Sequence, residues 1–375
     1  MKINIAQPQI GKEEIKAVTE VLKSGMLAQG PKVQEFEEKF AKFIETKFAI
    51  ATSSGTTALH VALLAAGIGP GDEVITSPFT FIASANSILY VGAKPVFADI
   101  DEETFNIDPQ KIESKITKKT KAIMPVHLYG NPCDMTKIMA IARKHKLIVI
   151  EDACQAHGAK WKGKKVGLSA VALAKVGSFG IGTFSFYPTK NITTGEGGMI
   201  TTDSKEIYEK SLLIRAHGSK IKYYHDVLGY NFRMTDIGAA IGLEQLKKIN
   251  QFNKLRIKNA QYLSKNLSKI PGIIVPEIPK NTTHVFHQYT IRITPDFGLS
   301  REEVVKKLTD VGIGTAIFYP LPINSQKLYQ NIGYKMNTPM AEKISKEVIS
   351  LPVHPGVKER DLRYIVRTFK EIAGN

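Results

Sequence analysis

Cysteine, tryptophan and long apolar stretches are what this sequence has least of. Two cysteines, Cys133 and Cys154, among 375 residues leave no disulfide framework, and a reducing, cytoplasmic setting is expected. No apolar run approaches the roughly 18 residues needed to cross a bilayer. The opening MKINIAQPQIGKEEI has no apolar h-region, so no secretory leader is expected. Concentrated charge is also missing. The formal net charge is +16, but the densest basic groups, Lys115-Lys118-Lys119-Lys121 and Lys162-Lys164-Lys165, are short and interrupted. They read as solvated faces. With no helix-turn-helix signature either, no nucleic-acid partner is expected. Asp152, Cys154 and His157 have no second His/Cys/carboxylate group at matching spacing, so no metal is expected.

What is present is an alternation of short apolar runs with helical ones. Strand-type runs fall at 48–52, 73–76, 95–99, 121–127, 147–152, 182–186 and 198–201. Helical stretches fall at 56–66, around 84–90, at 109–116 and at 135–145. The first helix signal is Val33, Phe36, Phe40, Phe43 and Ile44, whose spacing marks one buried face. The pattern predicts an α/β fold with a mostly parallel seven-stranded sheet and helices on both faces. Such a sheet takes its ligands beyond the carboxyl ends of its strands.

The pattern changes after Thr235, a helix N-cap candidate. A long helix is predicted there, carrying Ile241, Leu243, Leu246, Leu255, Ile257 and Leu263. A smaller α+β unit follows Pro271-Gly272, with strands near 273–275, 286–293 and 315–318. The capping box Ser300-x-x-Glu303 opens one helix of that unit, and a last helix is expected near 359–372. A chain of this length exceeds one simple core, and the boundary is placed on the long helix: a large domain over 1–250 and a small one over 251–375.

Four segments at strand ends carry chemistry. In Thr52-Ser53-Ser54-Gly55-Thr56-Thr57 a strand turns on Gly55 into a helix. The exposed amides and the hydroxyls of Thr56 and Thr57 suit a phosphate. In 147–157 an apolar strand delivers Asp152 at its end, where a carboxylate could meet a pyridinium nitrogen. In 184–198, Lys190 follows an apolar strand and precedes a glycine-rich turn. Desolvation there would lower its pKa and free the amine to attack an aldehyde. Ser185, just before it, can add a hydroxyl to the phosphate cup. In Thr76-Ser77-Pro78-Phe79-Thr80-Phe81 an aromatic ring can cover one face of a planar cofactor.

Taken together, Ser54-Gly55-Thr56-Thr57-Ala58-Leu59, Pro78-Phe79-Thr80-Phe81, Glu151-Asp152-Ala153-Cys154-Gln155-Ala156-His157-Gly158 and the run from Phe184 to Gly198 resemble the DegT/DnrJ/StrS-type nucleotide-sugar aminotransferases. The likeness extends from Gly25 to Pro355. It implies a type I aminotransferase fold, pyridoxal 5′-phosphate (PLP) as cofactor, and a homodimer with shared active sites. The expected reaction is transfer of an amino group from an amino acid, glutamate being expected, to a nucleotide-linked keto-sugar. By position the resemblance gives Lys190 as the Schiff-base lysine and proton carrier and Asp152 as partner of the ring nitrogen. Gln155 is given to the ring hydroxyl and Phe81 to stacking on the ring. The phosphate goes to Gly55, Thr56, Thr57 and Ser185, with Asn231 added from the partner subunit. Arg233, Tyr319 and His287 resemble substrate-side positions.

A sugar dehydratase of the same family would place histidine at the lysine position, and Lys190 argues against it. An aromatising relative acting on a cyclic substrate and a non-catalytic regulator are the other rivals. The chain departs from its relatives at 168–177, an insertion in which Lys165-Val166-Gly167 recurs as Lys175-Val176-Gly177. Two glycine patterns are decoys. Gly158-x-x-x-x-Gly163-Lys164-Lys165 lacks the hydroxyl residue of a nucleotide P-loop. Gly177, Gly180 and Gly182 run the dinucleotide spacing backwards.

Overall fold

The computed structural model describes residues 2–167, 180–221 and 223–374. The 168–177 insertion and its repeat lie outside these. The seven apolar runs form one sheet of β1 (Phe48–Thr52), β2 (Glu73–Thr76), β3 (Lys94–Phe97), β4 (Thr120–Met124), β5 (Ile148–Asp152), β6 (Gly180–Ser185) and β7 (Gly198–Thr202). Their order is β1-β7-β6-β5-β4-β2-β3. Strands β6, β5, β4, β2 and β3 run parallel, and β7 runs antiparallel to both β6 and β1. The sheet is α/β, as the alternation predicts.

Strand alternation builds a core on each face, because successive side chains point to opposite sides. Ala49, Ala51, Phe184 and Met199 face one way, onto Phe36 and Phe40 of α2 (Pro31–Ile44). Ile50, Ile150, Ile181 and Ile200 face the other, onto Leu59 and Leu63 of α3 (Gly55–Ala65). The ring of Phe40 lies 5.0 Å from that of Phe184 and 5.4 Å from that of Phe186. Truncating so well-packed a phenylalanine to alanine costs about 3–5 kcal/mol.

Thr235 accepts from the Gly238 amide and starts α7 (Asp236–Leu267), the long helix of the prediction. Residue 250 falls inside it. Asp236 reaches back to cap α2, accepting from the amides of Gly30 and Val33 at 2.9 Å each. Beyond α7, β8 (Ile273–Ile274), β9 (Tyr289–Ile293) and β10 (Val348–Leu351) form a second sheet. It packs with α8 (Arg301–Asp310) and α10 (Glu359–Ile372) around a core of its own, including Ile291, Val304, Ile365 and Phe369.

Three local readings differ from the sequence. Residues 315–318 form no strand; only Ala316 makes a bridge, to Ser350. The strand beside β9 on the side away from β8 is β10, which follows α9 (Pro339–Glu347) with no turn residue to announce it. A helix before Val33, α1 (Lys12–Ser24), went unpredicted because it has no broad apolar stripe: Val21 is buried while Ile15 and Leu22 are exposed. The 158–165 decoy is a hairpin of Lys160–Trp161 with Lys164–Lys165, its glycines turning at positive φ.

Candidate active site

Phenylalanines of the Phe184-Ser185-Phe186 run are wholly buried against α2. The pleat therefore turns Ser185 to the opposite side. The chain then closes a tight loop: the Lys190 amide donates to the Tyr187 carbonyl at 2.9 Å, and the Thr193 hydroxyl to the Phe186 carbonyl at 2.7 Å. Lys190 is half-buried in this loop. Burial pushes its ammonium pKa down, and the nearby Cys154 and Asp152 oppose that shift. A depressed pKa frees the amine for attack on a carbonyl.

Asp152 sits at the carboxyl end of β5, opposite Thr183 of β6. It is buried and held from two sides. The Ser84 hydroxyl donates to Oδ2 at 2.7 Å, and the Cys154 amide to Oδ1 at 3.2 Å. Glu151, next along the strand, points away and accepts from His127 Nε2 at 2.9 Å and from the Gly167 amide at 2.7 Å. Since His127 Nδ1 accepts from the Cys133 amide at 3.0 Å, its proton must sit on Nε2.

Gln155 is oriented by the same logic. Its Oε1 accepts from the Tyr129 amide at 2.8 Å, so its NH2 group faces the other way, towards the Tyr319 hydroxyl at 3.4 Å. The Tyr319 ring is 6.4 Å from that of Phe81, which is 56% exposed although its neighbour Phe79 is wholly buried. Burial raises the Tyr319 phenol pKa, so the hydroxyl keeps its proton.

At the start of α3, Ser54 accepts from the Thr57 amide at 3.1 Å, and the Thr57 hydroxyl donates to the Ser54 carbonyl at 2.8 Å. Thr57 is thus engaged in capping, while the first-turn amides of Gly55 and Thr56 have no acceptor within the helix. A Cβ on Gly55 would lie 2.6 Å from that of Ser185, so only glycine allows the two segments to touch. On Gly198 it would lie 2.2 Å from the Ser54 carbonyl oxygen.

Gly55, Ser185, Lys190, Asp152, Gln155 and Tyr319 therefore converge on one edge of the sheet. His287 is near this group but buried; burial, with help from the positive charge of Lys190, drives its pKa well below the ordinary value. Asn231 and Arg233 flank Phe232, whose carbonyl accepts from the Ser53 amide at 2.8 Å. Asn231 is exposed and bridges Ala216, and Arg233 contacts His217 Nδ1 at 3.2 Å. Among the described residues neither is hydrogen-bonded to Lys190, Asp152 or Gln155. Sequence reasoning missed Ser84 and Tyr129. Each acts across a long separation, 68 residues for Ser84 with Asp152, and no spacing signal marks such a pair.

The profile of the DegT/DnrJ/EryC1/StrS aminotransferase family matches residues 8–370. The chain belongs to that family. Among curated relatives it is 45% identical to a "pleiotropic regulatory protein" of Geobacillus stearothermophilus, over 97% of this chain and 95% of that one. It is 40% identical to the GDP-perosamine synthase of Caulobacter vibrioides, over 99% and 98%. A Streptococcus pneumoniae protein solved in its PLP form superposes with a TM-score of 0.91 at 29% identity, over 100% and 99%. As a DegT/DnrJ/EryC1/StrS member the chain has a site whose residues suit PLP. The Asp152 carboxylate, the oriented amide of Gln155, the uncovered ring of Phe81 and the Gly55–Ser185 cradle match a pyridinium, a ring hydroxyl, a flat face and a phosphate. No group of metal-binding side chains occurs among the described residues, and no helix among them is long and apolar enough to cross a membrane.

Proposed function

We propose that this chain is a PLP-dependent aminotransferase that moves an amino group from an amino acid, glutamate in our reading, to a nucleotide-linked keto-sugar. The observation that carries the reading is the convergence of the desolvated Lys190 amine with Asp152, locked by Ser84, and with Gln155, locked by Tyr129. When bound, PLP supplies an electron sink for the pair left as the donor loses its α-proton. Lys190 Nζ would take that proton and hand it on within the same half-reaction, and in the second half-reaction it would move a proton the opposite way, onto the sugar carbon that receives the amine. Asp152 holds the ring nitrogen and Gln155 the ring hydroxyl, while Phe81 stacks on one face. Gly55, Thr56 and Ser185 bind the phosphate, with Thr57 keeping the helix start in shape. Tyr319 and His287 stand on the substrate side.

In the same reading the chain works as a homodimer in the cytoplasm, with residues 1–250 as the cofactor domain and 251–375 as the small domain. Exposed apolar side chains on the arm after α6 (Lys205–Arg215) support the dimer: Tyr223 is 79% and Leu228 82% exposed. That arm would bring Asn231 to the partner's phosphate and Arg233 to the diphosphate of the sugar. The regulatory name of one relative favours no second reading here, because the lysine and its surrounding groups are all present.

The test is oxoglutarate release from glutamate with UDP-, GDP- and dTDP-linked keto-sugars in turn, beside the Lys190→Ala chain. One sugar should support release, and the variant should lose about 1,000-fold or more of it. Equal turnover by the variant, or no release with any keto-sugar, would sink the proposal.

A further inference from the structure

The middle of α7 is buried through polar side chains. Asn253, Arg256 and Asn259 follow one another along one face and are each less than a tenth exposed. Their partners are main-chain carbonyls of separate segments. Arg256 Nη1 donates to the Phe286 and His287 carbonyls at 3.1 and 3.3 Å. Asn259 donates to those of Val353 and His354 at 3.3 and 3.4 Å. Asn253 differs from both.

Asn253 Nδ2 donates to the His157 carbonyl at 2.8 Å, which ends the segment carrying Asp152 and Gln155. Its Oδ1 accepts from Asn191 Nδ2 at 2.7 Å, and Asn191 adjoins Lys190 in sequence. Asn191 Nδ2 also donates to the Val285 carbonyl at 3.0 Å. Carbonyls only accept, so both amides have a single consistent orientation. Wholly buried bonds of this kind are strong constraints on geometry.

We propose that Asn253 is a positioning residue that fixes the Lys190 loop against the segment bearing Asp152 and Gln155, and so sets the gap the cofactor ring must span. The proposal rests on the PLP reading. It assigns Asn253 no contact with substrate; it acts through Asn191 and the His157 carbonyl. A small error in such a gap is costly, because a reacting amine misplaced by about 1 Å loses roughly 100-fold in rate.

The test uses Asn253→Ala, Asn191→Ala, the double variant, and Asn259→Ala as a control with the same kind of buried amide. In the cofactor-free chain, the labelling rate of Lys190 with an amine-reactive reagent is followed against pH. In the loaded chain, the borohydride-sensitive visible band is titrated. Loosening the loop lets more water reach the amine, so the labelling midpoint should rise in both single variants by about one pH unit, a tenfold change in free amine. The double variant should move by less than the sum of the two singles, because they share the Asn191–Asn253 bond. Asn259→Ala should leave both midpoints in place while lowering thermal stability.

Unmoved midpoints in Asn191→Ala or in a folded Asn253→Ala, shifts that simply add, or an equal shift in Asn259→Ala would each overturn the positioning role. Should Asn253→Ala not fold, Asn191→Ala alone decides. A wild-type chain with no borohydride-sensitive band would instead overturn the cofactor reading, and the two failures are thereby told apart.

Discussion

Ser84 donates its hydroxyl to Asp152 Oδ2 across 2.7 Å, from the first turn of α4 (Ala83–Tyr90) to the end of β5. Thr80 lies 3.2 Å from the same hydroxyl, so the serine rotamer is itself held. The bond leaves the rest of the carboxylate to face the site in one orientation.

Ser84→Ala removes that constraint while keeping the Cys154 amide on Oδ1. A hydrogen bond to a charged group contributes about 1.5–3 kcal/mol, and about 1.4 kcal/mol is tenfold in rate. The expected outcome is roughly a tenfold or greater fall in the rate of the first half-reaction, with cofactor content unchanged. Single-turnover kinetics with the amino acid donor measures it. A rate equal to wild type would show that Asp152 is oriented without help.

How much of this was legible beforehand depended on range. The Phe-x-Phe alternation at 184–186 announced which way Ser185 points, and an apolar strand ending in Asp152 announced a carboxylate at a sheet edge. These signals are local, and the pleat converts them directly into position. Ser84 and Asn253 were illegible because their partners lie far off in sequence. Periodicity marked α7 but not its whole buried face: Leu243 and Leu263 are buried, while Ile241, Leu246, Leu255 and Ile257 are only partly so. Among the buried positions between them, beside Gln245, Ile249 and Ala260, are the polar Asn253, Arg256 and Asn259. Hydrophobic patterning reads polar residues as solvent-facing, and here main-chain carbonyls take the place of water.

Buried histidines give the fold a pH dependence of definite sign. Burial, with Lys190 adding to it, brings the His157 pKa down to about 3, and burial alone brings His284 to about 3. Unfolded, each takes a proton below about 6.5. The unfolded chain therefore binds more protons than the folded one between about pH 6.5 and 3, and stability falls as pH falls through that window. From pH 7.5 to 5.5 the loss is about 1.4 kcal/mol for each such histidine. Urea midpoints at the two pH values measure it. His284→Phe keeps a flat ring against Phe286, whose centroid is 3.8 Å away, and should shrink the difference by about one histidine's share. An undiminished difference would mean that His284 does not stay neutral in the fold.

The arm bearing Asn231 gives the sharpest test of assembly. Asn231 is exposed, as are Tyr223 and Leu228 before it, and the chain's own Lys190 is not its hydrogen-bond partner among the described residues. If Asn231 completes the partner's phosphate site, Lys190→Ala and Asn231→Ala chains are each inactive alone. Mixed after gentle dissociation, half of the dimers should be heterodimers. Each of these has one site with both Lys190 and Asn231 intact and one with neither, so activity should return to about a quarter of wild type. A site built from one chain would leave every site lacking one residue, and mixing would restore nothing. Oxoglutarate release from the mixture, compared with each variant alone, separates the two arrangements, and a mixture as inactive as its components would place Asn231 outside the shared site.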